Sequence, residues 1–297
     1  MEQYLTQYLT ALSSQKGYSE NTIAAYRNDL GQFAQFIRAQ RGTDVEPGDI
    51  TSEVVEAYVE SLQSEAGGYA PSTVARKIAA VKSFFHYLTE QQVIAADPAL
   101  RLSSPKIKKN IPRTLTREEI ERLLAAPRQG SGPKALRDAA LLELLCATGM
   151  RVTEVVNLRV DDVDWDRGDV ICQGKGERQR RIPVGIALHS LSDYFQQARA
   201  SLKHDDSPDV LFLNHRGKKL TRQGVWLILK EAAQAAGVSK EVTPHTLRHS
   251  FAKQLVGSGE DLRRVQELLG HANLSTTQVY KQGHSNSIPE TDVNPTQ

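Results

Sequence analysis

Apolar residues in the first hundred positions return at alternating steps of three and four, the period of one helix face. Tyr4, Leu5, Tyr8, Leu9 and Leu12 form one stripe, and Ile23, Tyr26, Leu30, Phe33 and Ile37 a second, with Ser19 ahead of it as an N-cap oxygen. Val54, Val55, Tyr58, Val59 and Leu62 make a third; Val74, Ile78, Val81, Phe85 and Leu88 a fourth, following Pro71 and Ser72. Four amphipathic stripes predict a small helical domain over residues 1–101, closed by Asp97-Pro98.

From Leu102 to Arg113 the chain carries Lys106, Lys108, Lys109, Arg113, Pro105 and Pro112 and no acid, the composition of an extended basic linker. Thr116 with Glu119 three residues on is a capping box opening a second domain, over 114–283. Asp138 to Ala147 is apolar on more than one face, which predicts a central buried helix ended by Gly149. Between Val163 and Val184 the period shortens, with turns at Asp166-Arg167-Gly168 and Gly174-Lys175-Gly176, so a small three-stranded antiparallel sheet is expected there. Helices resume after Gly185, around Val225 to Ala236, from Pro244 to Val256 and from Leu262 to Leu269, and a polar tail covers 284–297. The chain reads as mainly α with two domains, the second of α+β type.

A length of 297 residues with 39% hydrophobic and 24% charged positions excludes a disordered chain. No apolar run is long enough for a membrane span, since the best stretch contains Glu143, and no secretion signal opens the chain; a soluble, cytoplasmic protein is expected. Two cysteines, Cys146 and Cys172, exclude a disulfide framework. The net charge of +2 conceals an asymmetry: residues 1–103 hold 8 Lys and Arg against 12 Asp and Glu, leaving 29 against 23 beyond. The positives cluster in the linker, at Arg178, Arg180 and Arg181, and at Arg216, Lys218, Lys219 and Arg222, the footprint of a surface for a polyanion. Arg76, Lys77 and Lys82, off the fourth apolar stripe, are placed to reach phosphates as well.

Three chemical motifs fail on inspection. Gly174-Lys175-Gly176 lacks the earlier glycine and the Ser or Thr of a nucleotide loop; Asp162, Asp164 and Asp166 lack the glycine and glutamate of a calcium loop; His245 and His249 have zinc-ligand spacing, but with Thr246 and Arg248 between them. No metal or cofactor is expected. What survives is Thr243-Pro244-His245-Thr246-Leu247-Arg248: an N-cap, a first-turn proline and two cationic side chains on one face at a helix start, a good phosphate site. Arg151 follows Gly149, with Glu154 three residues later to orient it; His271 follows Gly270; and Tyr280 follows a Ser275-Thr276-Thr277 helix start.

This pattern resembles the tyrosine recombinase (phage integrase) family, and over nearly the whole chain its Xer-type members, which resolve chromosome dimers. The specific phrases are Ala147-Thr148-Gly149-Met150-Arg151, His245-Thr246-Leu247-Arg248-His249-Ser250-Phe251-Ala252 and the stretch from Leu268 to Tyr280. The resemblance implies a SAM-like four-helix core-binding domain ahead of the catalytic domain, the two clamping duplex DNA. It implies catalysis by Arg151, Lys175, His245, Arg248, His271 and the nucleophile Tyr280 without metal or ATP, and Glu154 orienting from behind.

The expected partners are a duplex target site and further protomers in a tetrameric synapse, identical or paralogous. DNA contacts are expected from Arg76, Lys77, Lys82, Lys106, Lys108, Lys109, Arg178 and Arg222. Integration of a mobile element, nicking and rejoining in the manner of a topoisomerase, and an architectural protein with an idle site are the alternatives. One departure from the Xer pattern stands out: after Tyr280 the chain runs Lys281-Gln282-Gly283-His284 into the polar tail, where that pattern continues into an apolar-faced helix.

Overall fold

The computed structural model describes residues 1–14, 18, 20–42, 45–64, 68–105, 113–174, 179–238 and 241–270. The chain divides into two compact units, Met1–Lys109 and Asn110–Gln297. The division falls inside the basic segment 102–113, of which 106–112, with Lys106, Lys108 and Lys109, lie outside the described residues.

The first unit is built from α1 (Glu2–Ser14), α2 (Glu20–Arg41), α3 (Ser52–Ser64) and α4 (Pro71–Glu90). The apolar stripes meet in one core. Phe33 stands edge-on to Tyr58 and Phe85, at 5.0 and 5.8 Å between ring centroids. The buried Tyr8 satisfies its hydroxyl by donating to Ser83 Oγ at 2.7 Å. One expectation is overturned here. Lys77 is 1% exposed, and its Nζ meets Asp29 Oδ1 at 3.2 Å and Gln32 Oε1 at 2.6 Å. Asp29 of α2 is itself buried, so Lys77 serves as an internal counterion, not as a phosphate contact. Arg76 pairs with the same carboxylate from the half-exposed side, and Lys82 donates to the Leu102 carbonyl at 2.8 Å.

The second unit opens with α5 (Arg117–Ala125), whose Thr116 hydroxyl accepts from the Glu119 amide at 3.2 Å while Glu119 accepts from the Thr116 amide at 2.9 Å. Next comes α6 (Pro133–Thr148), buried from Arg137 to Leu145 and therefore the core helix. Its two buried carboxylates are both met: Asp138 by the neighbouring Arg137, and Glu143 by Arg128 and the Ser190 hydroxyl. After α7 (Val152–Asn157) the chain forms β1 (Val163–Asp164), β2 (Asp169–Gln173) and β3 (Gln179–Pro183), an antiparallel sheet in that order in which Val170 lies opposite Ile182. α8 (Ala187–Asp193) runs through a wide π turn at Tyr194–Ala198 into α9 (Arg199–Leu202). α10 (Arg222–Ala235), α11 (Pro244–Gly257) and α12 (Leu262–Leu269) complete the described chain, α11 lying against α6, and α12 against α11 and β3. No helix among the described residues is long and apolar enough to cross a membrane.

Candidate active site

The end of α6 begins the site. Gly149 takes the left-handed conformation at φ 58°, and its amide donates to the Leu145 carbonyl at 3.1 Å, closing the helix. The glycine is required twice over, because a Cβ there would stand 2.4 Å from Phe251 Cδ1. The turn delivers Arg151 to the start of α7. Its amide donates to Glu154 Oε2 at 2.7 Å and its Nη1 to Glu154 Oε1 at 3.1 Å, so the carboxylate three residues on holds both backbone and guanidinium.

Thr243 caps α11, accepting from the Thr246 amide at 3.2 Å, and Pro244 fills the first turn. His245 is exposed, while Arg248, one turn on, is only 6% exposed. The Arg248 guanidinium donates to the Gly149 carbonyl at 2.7 Å and to the Leu269 carbonyl. From β3, Arg180 shares the inward face of Ile182 and grips both oxygens of Glu154 at 2.9 Å, while its Nε donates to the Leu268 carbonyl at 2.8 Å. Arg151 completes the set by donating to the Gly270 carbonyl at 2.8 Å.

Three successive carbonyls at the end of α12, those of Leu268, Leu269 and Gly270, thus each accept from a different arginine. A helix terminus leaves its last carbonyls unbonded and carries partial negative charge, so it draws guanidinium groups together without a salt partner of its own. Gly270, left-handed at φ 62°, makes room: a Cβ would lie 3.1 Å from Arg180 Nη1. Burial pushes the Glu154 carboxyl up, but the hydrogen bonds and charge of Arg180, with the Arg151 amide and guanidinium, hold it below the usual carboxylate range. Among the described residues, Arg151, Arg180 and Arg248 gather beside the carboxylate of Glu154, a cationic grouping fit to meet an anion such as a phosphodiester. Burial, then the neighbouring His245 and Arg248, lowers the pKa of His249 below its ordinary value.

Of the residues singled out in the sequence, the structure gathers Arg151, Glu154 and Arg248 around the end of α12, with His245 on the first turn of α11. Lys175, Arg178, His271 and Tyr280 lie outside the described residues. Arg222 is exposed at the start of α10, behind the Thr221 cap. Arg76, Lys77 and Lys82 belong to the other unit. Among the described residues no group of three or more His, Cys, Asp or Glu is arranged to hold a metal ion. Arg180 is not among the site residues that the sequence motifs point to. Strand alternation was the available signal, since Arg180 has the parity of Ile182 and Arg181 the opposite one; Arg181 pairs at the surface with Asp164 at 3.2 Å.

Residues 113–286 match the model of the phage integrase family, and residues 5–92 that of the phage integrase N-terminal SAM-like domain. The chain belongs to the phage integrase family: it is a tyrosine recombinase, an enzyme that cleaves and rejoins DNA. It is 47% identical to "Tyrosine recombinase XerC" of Roseiflexus castenholzii over 283 residues, covering 94% of this chain and 88% of the relative. With "Tyrosine recombinase XerD" of Halalkalibacterium halodurans it shares 42% identity over 283 residues, 93% of this chain and 91% of that one. In fold it is similar to the XerH site-specific recombinase in a post-cleavage complex with palindromic difH substrate, at a TM-score of 0.73 and 23% identity over 94% of this chain and 81% of that one.

Proposed function

We propose that this enzyme is a site-specific recombinase that joins paired duplex DNA sites and serves the resolution of chromosome or plasmid dimers in the cytoplasm. Near full-length similarity to relatives named XerC and XerD supports that role. In the proposed reaction the Tyr280 hydroxyl attacks the phosphorus of a target phosphodiester. The bond from phosphorus to the 5′-oxygen breaks, a 3′-phosphotyrosine forms, and the phenolic proton passes to His245. Lys175 returns a proton to the departing 5′-oxygen. The same steps in reverse, begun by a 5′-hydroxyl from a partner strand, release Tyr280, and the bond energy is conserved throughout.

Charge that grows on the non-bridging oxygens needs fixed donors, and Arg151 and Arg248 take that part, with Glu154 orienting Arg151 and His271 holding a further oxygen or the histidine arrangement. A phenol with an ordinary pKa of about 10 gains from the same positive field. Lys106, Lys108, Lys109, Arg178 and Arg222 contact the duplex, and four protomers, identical or paralogous, form the synapse.

The observation that carries this reading is the convergence of Arg151 and Arg248, remote in sequence, on adjacent carbonyls of one helix end. The test is incubation with nicked suicide duplexes whose site the wild-type protein has selected from a randomised library. A covalent adduct on Tyr280 and joined recombinant product are expected, with both lost in Tyr280→Phe. An adduct without joined product would instead indicate nicking and rejoining, and activity surviving Tyr280→Phe would refute the assignment.

A further inference from the structure

We infer that Arg180 is a positioning residue for the phosphate clamp: it neutralises Glu154, so that Arg151 is oriented by a carboxylate without losing its positive charge to it. The inference rests on the reading of Arg151 as a clamp. A carboxylate 3.1 Å from a guanidinium steers it well but cancels its field, which is the property a phosphate clamp needs. The structure resolves that conflict by giving Glu154 a second cation.

The geometry divides the two cations by task. Arg180 meets both carboxylate oxygens at 2.9 Å in the fork arrangement, and its side chain is 15% exposed beside the 9% of Glu154. Arg151 meets one oxygen with its side chain, at 3.1 Å, and is 40% exposed. The buried arginine is therefore the counterion, and the exposed one faces outward with charge to spare. Arg180 also ties the carboxylate to a fixed object: its Nε bonds the Leu268 carbonyl, and its guanidinium packs on Gly270, whose own carbonyl holds Arg151. β3, α7 and the end of α12 are thereby locked together behind the clamp, through a residue the chemistry never touches.

A counterion role predicts an epistasis that a packing role does not. Single-turnover cleavage of the selected suicide duplex is measured on the full chain for Arg180→Met, Glu154→Gln, the double variant and Arg180→Lys, with DNA binding followed separately. Arg180→Met should cleave about tenfold or more slowly with affinity nearly unchanged. The double variant, in which no carboxylate remains to be neutralised, should be faster than Arg180→Met alone, and Arg180→Lys, which keeps the charge, should lie between Arg180→Met and wild type. Should Arg180→Met not fold, Arg180→Gln against Arg180→Lys makes the same comparison. Wild-type cleavage by Arg180→Met, or a double variant no faster than it, overturns the inference. Arg151→Ala run alongside separates the two levels: undiminished cleavage there would remove the clamp reading itself, whatever Arg180 does.

Discussion

Lys77→Ala separates a buried counterion from a DNA contact. The substitution removes one of two cations from Asp29, a carboxylate 1% exposed in the first unit, and also strips the Gln32 side chain of its donor. Removing one partner of a buried pair costs about 3 to 5 kcal/mol, and the remaining Arg76 contact argues for the lower end, about 3 kcal/mol. With a urea dependence of about 2 kcal/mol per molar, the midpoint of the first unit should fall by about 1.5 M. The assay is built into the chain, because its two tryptophans, Trp165 and Trp226, both belong to the second unit. Far-ultraviolet dichroism should show the early transition while tryptophan fluorescence keeps its wild-type midpoint. The dependence of DNA affinity on salt should be unchanged. An unmoved dichroism transition, together with a log–log salt slope shallower by about 1, would mean that Lys77 meets a phosphate and not the Asp29 carboxylate.

Gly149→Ala places a Cβ against Phe251 at a left-handed position and should destabilise the second unit by about 3 kcal/mol, seen as an earlier tryptophan transition; an unchanged midpoint would contradict the close approach. His249 has its folded pKa lowered by burial, so between that value and its unfolded pKa of about 6.5 the unfolded chain binds the extra proton. Stability of the second unit should therefore decline as pH falls below about 6.5, and His249→Gln should flatten that decline in urea titrations at pH 7.5 and 5.5. Gly270→Ala should slow cleavage by crowding Arg180, with the loss shrinking when Arg180 is shortened to Lys in the same chain.

Much of this was legible in the sequence because the signals were local. The Thr243-Pro244 cap, the Thr116 and Glu119 box and the helix-ending glycines at 149 and 270 act over one turn, and each does in the structure what its local chemistry predicts. The four stripes of the first unit worked for the same reason. What escaped depends on partners distant in sequence. Lys77 sits between Val74 and Ile78 on a face that periodicity leaves ambiguous, and only the buried Asp29 of another helix decides that it turns inward. Arg180 stands with Arg178 and Arg181 in one basic run of the sequence, but a strand sends neighbours to opposite faces, and its partners Glu154 and Leu268 come from two other elements. That the end of α12 would collect three arginines follows from no motif, since the acceptors are backbone carbonyls.

The shared clamp is tested most directly by changing the charge of the substrate instead of the protein. In a suicide duplex whose scissile phosphate is replaced by a methylphosphonate, one non-bridging oxygen and its negative charge are gone, so a guanidinium that exists to meet that charge becomes dispensable. Arg151→Ala and Arg248→Ala should each cleave the phosphate duplex about 100-fold or more slowly than wild type, and at least one of them should recover most of that loss on the neutral duplex. Equal deficits on both duplexes would show that neither arginine acts on the phosphate.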